Sequence, residues 1–500
     1  MDPDRTLDTV TQSFDVLTAA GERHRGLFPS IADRETGTLL SEPPSIPGQR
    51  DSDRAHRGSN LMHDHPTLRA MDALAEHSGR ETFAAAVDRY LETFATDCTD
   101  TPTGLFPWGE HAFWHLDADE PGNGYTQAPA SESGDAVHDH LRLAPEWLWD
   151  RLRASNPDCL QRFADGLDYH WLGADRREYN RHASILDRQR GEPTGDRSCD
   201  FPAHGGYFVH DLAVAYAALP REWSRRGIVR MLEYWWEQRT EWGLLPLEAR
   251  GRTDELSLAQ TLSYAVSLLD AAAVLQQCDE PALVETMREH AGTYLDGFLA
   301  APHDPDDGVF LTTCREQDLR TGEFEPRTGP DVTNEIAAMT VWGSVYGSGG
   351  DVVAKHALLA CSAYRHTGAD RLLDWAVAAG EFQRSRPFPT NGLVPASGAE
   401  TGNALEGNES VPVVAGDAGQ AIGLFVDLFD LTGEQRWIDG ARETAQTALD
   451  VYFDAPLPRA ATTVDHYESQ TRTGYLLYNL VRLALLERDG VDIGPDYTDR

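Results

Sequence analysis

Lysine is almost missing from this chain. Of its 43 basic residues only Lys355 is a lysine, and the rest are arginine. Basic residues are themselves scarce. The 81 aspartates and glutamates leave a formal net charge of −38 over 500 residues. A surface this acidic is not built to grip a nucleic-acid backbone, which needs clustered Lys and Arg. Nor is it built to dock on an anionic lipid leaflet. High charge of one sign keeps a protein soluble but makes it repel itself. In molar salt the Debye length falls to about 3 Å and the repulsion is screened, so the composition points to a salt-accumulating cell. The six cysteines are scattered, with no C-x-x-C pair. Zinc fingers, thioredoxin-like sites and disulfide frameworks are therefore not expected. No apolar run is expected to reach the roughly 18 residues of a membrane-spanning helix. Residues 1–23 have no basic stretch leading into an apolar one, so the expected location is cytoplasmic. Neither G-x-x-x-x-G-K-[ST] nor G-x-G-x-x-G occurs, and no nucleotide cofactor is expected.

What is present is a succession of amphipathic helices in pairs. The pattern predicts 60–77 with 80–96, 138–153 with 157–171, 207–219 with 221–239, 257–277 with 281–299, 350–366 with 370–384, and 414–431 with 434–452. A last helix near 473–488 is placed to pair with one near 6–20. The break inside a pair has a common form: HSGRE at 77–81, HTGAD at 366–370, LTGEQ at 431–435. A second turn follows the pair: RGLFP at 25–29, TGLFP at 103–107, WGLLP at 242–246, DGVFL at 307–311, NGLVP at 391–395. Six or seven helical hairpins in one chain predict an all-α fold, an (α/α)6 or (α/α)7 toroid with few short strands in its loops. An open solenoid is the alternative, disfavoured by the varied pair lengths and long loops. The expected organisation is a single domain over 1–490, with 37–59 a loop and potential lid and 491–500 a disordered tail.

The chemistry concentrates in one stretch. Eleven of the 18 histidines lie between His63 and His210. GLFPWGEHAFWHLD at 104–117 holds Trp108, Glu110, His111 and Trp114. VHDHLRLAPEWLWD at 137–150 holds His138 and His140. Read on a helix, these two point apart, so at most one faces the funnel. REYNRHAS at 177–184 supplies Arg181 and His182, and CDFPAHGGYFVHD at 199–211 supplies His204 and Tyr207. DHYESQTRTGY at 465–475 adds Asp465, Tyr467, Glu468 and Arg472. It is either a helix-start cap or a return to the funnel mouth. Asp211 and Asp417 read as helix-dipole partners or as site carboxylates, Trp235 and Trp236 as core, and Glu400 as a weak candidate. Aromatic rings among arginine, histidine and carboxylates suit a carbohydrate, whose C–H faces lie on rings and whose hydroxyls pair with polar groups.

The hairpin succession and loop pattern resemble the (α/α)-barrel carbohydrate-active enzymes. These include uronate-specific polysaccharide lyases, unsaturated-uronide hydrolases and sugar 2-epimerases. WGEHAF at 108–113 resembles a W-G-x-H loop of metal-dependent pectate lyases of this architecture. That resemblance implies His111 as a metal ligand. Ala112 stands where an arginine would follow, which leaves the base unassigned. The expected activity is β-elimination on a uronate-containing glycan. A divalent cation (Mn or Ca) would be held by Glu110, His111 and His138 or His182. Arg181 or Arg472 would pair with the carboxylate, and His182, His204 or Tyr207 would move the proton. Trp108, Trp114, Tyr467 and Glu468 would contact the sugar. The alternatives are a hydrolase using two carboxylates among Glu110, Asp211, Asp417 and Glu468, an epimerase using His182 and His204, and a sugar-binding or interaction scaffold without catalysis. The expected partner is a carbohydrate substrate, with no nucleic acid and no membrane. Oligomeric state is not readable.

Overall fold

A computed structural model describes residues 1–140, 142–324, 338–344, 351–389, 391–395 and 410–500. Among them the chain is a ring of helical hairpins, as the patterning predicts. Outer helices are α1 (Pro3–Glu22), α3 (Glu81–Thr93), α8 (Glu222–Gln238), α10 (Pro281–Ala300), α13 (Asp370–Ser385) and α15 (Gln435–Tyr452). Inner helices are α2 (Leu61–Ser78), α7 (Pro202–Ala218), α9 (Leu258–Leu275), α12 (Val353–Thr367), α14 (Ala415–Thr432) and α16 (Thr473–Asp489). Inner helices pack in sequence, α7 on α9, α9 on α12, α12 on α14, α14 on α16 and α16 on α2. A short pair, α5 (Glu146–Ser155) and α6 (Cys159–Gly166), fills the arc between α3 and α7. Two further short helices, α4 (Ala130–Ser133) and α11 (Glu316–Thr321), lie in connections. One continuous apolar core runs round the ring between the two layers.

The sequence period explains the layers. Outer α15 carries one apolar stripe, with Trp437, Ile438, Ala441, Ala445 and Ala448 buried at helical spacing. Inner α9 is apolar nearly all round. It reaches 18 residues with a mean hydropathy of 1.4, contrary to the expectation that no such run exists, and 83% of it is buried inside the fold. It is a core helix touched on every side. The recurring G-apolar-apolar turn has a backbone cause. Gly26, Gly104, Gly243, Gly308 and Gly392 all have positive φ. At Gly104 a Cβ would also come within 2.2 Å of the Arg162 carbonyl oxygen, so only glycine closes that hairpin against its neighbour.

Three expectations need correction. His138–His140 is a strand paired antiparallel with His182–Ser184, and helix α5 starts only at Glu146. Pro145 disfavours helical backbone at the residue before it, so the helical argument separating His138 from His140 does not apply. Helix α7 starts at Pro202, five residues before the expected point, with proline in the first turn where its missing N–H costs nothing. This puts Asp211 in mid-helix, accepting a bond from Trp149 Nε1 at 3.0 Å, not at a helix start. Residues 491–500 are not a disordered tail. They turn back into the ring's lumen. Asp492 meets Arg482 (2.7 Å) and Asp496 meets Arg69 (2.7 Å). Thr498 bonds His65 (2.9 Å) and Tyr475 (2.7 Å), Asp499 meets Arg472 (3.1 Å), and the Tyr207 hydroxyl donates to the Arg500 carbonyl (2.6 Å). The segment's polarity is matched by cations inside the lumen, which composition alone does not reveal.

Candidate active site

Loops over the N-terminal ends of the inner helices bring the histidine-rich motifs together. The strand Ala112–His115 is the second of a four-stranded sheet in the order Gly58–Ser59, Ala112–His115, Glu120–Asn123, Ala128–Pro129. It fixes Glu110 and His111 just upstream. The loop read as a lid supplies a 3-10 turn, Asp51–Asp53, and this turn packs onto the sheet. The Gln127 amide donates to the carbonyls of Asp51 (2.6 Å), Arg54 (3.0 Å) and Gly124 (2.6 Å). A Cβ on Gly124 would stand 2.4 Å from the Ser52 carbonyl oxygen and 3.0 Å from His111 Cα. Glycine there lets three loop segments meet.

The result is a carboxyl pair under one guanidinium. Arg50 donates to both oxygens of Asp53, at 2.9 and 3.0 Å, and its Nη2 lies 3.7 Å from Glu110 Oε1. Arg142 approaches the same Glu110 oxygen at 3.8 Å. Asp53 is largely buried, and burial followed by the neighbouring Glu110 charge pushes its pKa up to about 7. It is a carboxylic acid that holds its proton near neutrality.

Imidazoles surround this pair. His111 Nδ1 lies 3.1 Å from the Ser52 carbonyl and 3.6 Å from Asp53. A carbonyl only accepts, so Nδ1 carries the proton and Nε2 does not. The His111 ring is 4.6 Å from the ring of Tyr125 and 5.5 Å from that of His182, and His138 lies 6.1 Å from His182. Burial lowers the pKa of both His111 and His138, keeping them neutral. His63, near Arg142, Glu110 and Asp499, is pushed down by burial to about 3. The Arg181 guanidinium lies over Phe201 at 3.9 Å, and the His204 ring sits between Phe201 and Tyr207. Below them Arg472 bridges Asp417 (3.1 Å) and Asp499 (3.1 Å), and Asp417 also accepts from the backbone of Gly343 (2.8 Å) and Ser344 (3.1 Å).

Several expected site residues do other work. Trp108 is fully buried in an aromatic cluster with Phe94, Phe106, Trp149 and Phe163. Trp114 is nearly buried in its strand and donates to Asp119 at 3.1 Å. Tyr467 is buried. Glu468 is locked by Arg54 (2.8 Å), His466 (3.0 Å) and Gln49 (3.1 Å). All four are buried among protein groups. Glu468 instead staples the Asp53 loop to the C-terminal segment through Arg54. Tyr207 spends its hydroxyl on the Arg500 carbonyl. Asp465 pairs outward with Arg34 at 2.7 Å. Glu400 lies outside the described residues. The sequence reading missed Asp53, Arg50 and Arg142. The signal was the Arg/Asp alternation in RDSDR at 50–54, a dense charge pattern inside a loop read only as a lid.

Among the described residues, no three His, Cys, Asp or Glu side chains converge as a cation requires, Glu110, His111 and His138 included.

No family model and no curated protein sequence matches the chain. Solved structures of similar helical architecture include an unsaturated glucuronyl hydrolase from Bacillus sp. GL1 (13% identity, 99% of each chain, TM-score 0.45). A glycoside hydrolase family 76 mannosidase from Bacteroides thetaiotaomicron is similar over 97% of this chain and 100% of that one (13% identity, TM-score 0.44). A cellobiose 2-epimerase from Bacillus thermoamylovorans is similar over 88% and 94% (9% identity, TM-score 0.44). These are likenesses of the helical ring and do not bear on the chemistry of its mouth.

Proposed function

We propose that this chain is a carbohydrate-active enzyme that hydrolyses glycans bearing uronic acid, with Asp53 as proton donor and Glu110 as the second carboxylate. The observation that carries the reading is the Asp53–Glu110 pair. A carboxyl that burial and a neighbouring carboxylate push upward, beside a second carboxyl that faces two guanidinium groups, offers the two groups that glycoside hydrolysis needs. Asp53 gives its proton to the leaving glycosidic oxygen. Glu110, facing Arg50 and Arg142, takes a proton from water or attacks the anomeric carbon. Arg142 lies beside Glu110 and Arg181 near His111, where a guanidinium fork takes a sugar carboxylate. Among the described residues no three His, Cys, Asp or Glu side chains form a cation-holding set, and every step is assigned to the chain's own side chains.

A second reading, β-elimination, is favoured by one specific observation, the neutral imidazoles of His111 and His138 beside His182. One imidazole would take the C5 proton while arginine neutralises the adjacent carboxylate. The electrons would form the C4–C5 double bond, and the departing oxygen would take the Asp53 proton. Polygalacturonate, glucuronan and unsaturated oligouronides, assayed in high salt, separate the two readings. Reducing ends without ultraviolet absorbance from an unsaturated product support hydrolysis. Equal gain of both signals on saturated polymers would replace hydrolysis with elimination. No cleavage of any of these uronides would overturn both.

A further inference from the structure

Away from the funnel, the outer surface carries a groove of about 410 Å³ between α6, the loop after it and the face of α7 and α8. Its floor is apolar, with Trp171, Phe208 and Leu212, and Trp223 stands half-buried at its side. Its rim is basic. Arg176, Arg226 and Arg230 all line it, facing Asp165 and Asp168. The two acids are already engaged, Asp168 by Arg176 (2.8 Å) and by Arg190, and Asp165 by Arg221 (3.7 Å).

Arg226 and Arg230 are different. They sit one helical turn apart on α8, on the same face. Among the described residues neither has a carboxylate within ion-pair distance. In a chain with almost twice as many acids as bases, two adjacent arginines on one groove, with no acid at ion-pair distance among the described residues, run against the background. Arg230 is half-buried, with its guanidinium 5.2 Å from the centre of the Trp171 ring. Burial disfavours its charged form, the Asp168 charge works against this, and the nearby Arg176, Arg226 and Arg190 add to the cost, leaving a net downward shift. An anion placed between the two arginines would relieve that cost.

We propose that this groove is a second glycan site that binds one uronate residue of a chain. Its carboxylate lies between Arg226 and Arg230 and its C–H face on Trp223. A fixed pair of guanidinium groups discriminates a carboxylate, and an indole beside it discriminates a sugar from a free anion. The inference shares the uronate class with the reading above but none of its residues.

The test is calorimetric titration of trigalacturonate and triglucuronate into Asp53→Asn protein, with cellotriose as the neutral control. Two binding events are expected for at least one uronide and no groove binding for cellotriose. Adding Arg226→Ala with Arg230→Ala is expected to remove one event or weaken it at least tenfold. Arg226→Glu alone, at an exposed position, is expected to do the same. In the otherwise wild-type protein the double variant is expected to cleave short oligouronides at the parental rate. A single event abolished by the double variant would leave the groove standing and count against the funnel reading. A single event untouched by it, or two events both untouched, would overturn the groove proposal. So would equal loss of cellotriose binding.

Discussion

The funnel mouth and the lumen beneath it are made of the same residue types and use them in opposite ways. In the lumen every buried charge of the 491–500 segment meets its opposite. Burial alone would raise Asp492, Asp496 and Asp499. Arg482 lowers the first, Arg69 and His65 the second, and Arg472, Lys355 and Arg142 hold the third well below the usual carboxylate range. These carboxylates stay ionised and hold the ring together. At the mouth burial is only partly offset, since Arg50 holds Asp53 while a second carboxylate faces it. Asp53 faces another carboxylate and rises to about 7, and the neighbouring imidazoles fall. Desolvation is common to both regions, and the partner decides whether a group is structural or reactive. Asp64 marks the boundary of this rule. It too is pushed by burial to about 7, yet it is sealed from solvent and bonded to Tyr90 at 2.8 Å, so it has no access to a substrate.

The contrast breaks first at Asp53. Asp53→Asn is expected to lower kcat by about 10³-fold, within the usual range for a lost general acid, with an unchanged melting temperature. Glu110→Gln should also slow hydrolysis. The residual rate should then lose its alkaline limb at lower pH than the parent, because the charge that raises Asp53 is gone. A parental rate in Asp53→Asn would remove the mouth from the chemistry.

Arg54→Met tests the staple between the two regions. It leaves Glu468 buried without its guanidinium partner, and such breaks cost about 3–5 kcal/mol. Chemical denaturation should show that loss, and activity should fall with it because the loop carrying Asp53 is released. In the lumen, Asp499→Asn should cost about 2 kcal/mol, the scale of a charged hydrogen bond, while the shape of the pH–rate profile stays parental. A shifted profile would mean that the lumen and the mouth are one electrostatic unit.

Acid separates the regions last and most gently. Glu468, held by Arg54 and His466 against its burial, has a folded pKa of about 2, below its unfolded value. Its contribution to stability is present above the ordinary carboxylate range and is lost as pH falls toward 2. Asp492, Asp496 and Asp499 add in the same direction. Stability should therefore decline below about pH 4, while activity should already decline on the other side, as pH rises through 7 and Asp53 loses its proton.

The ring was legible in the sequence because helical period and Gly-bearing turns are local signals. Helices α8, α10, α13, α14 and α15 begin and end within a residue or so of the pattern. The site was legible in neighbourhood more than in membership. Glu110, His111, His138 and His182 do gather. Trp108 and Glu468 do not join them, since a tryptophan beside a glutamate looks the same in sequence whether its ring faces a sugar or Phe163. Asp53 was invisible for the converse reason. Its raised pKa arises first from burial in a loop fold fixed by Gln127 and Arg54, and then from Glu110, 57 residues away in the chain.

The most direct test is a carboxyl-carbon NMR titration of protein labelled at aspartate, with Asp53 assigned by the signal that Asp53→Asn removes. A midpoint near 7 is predicted. A midpoint near 4, the ordinary carboxylate value, would contradict the account, because Asp53 would then have no proton to give at neutral pH.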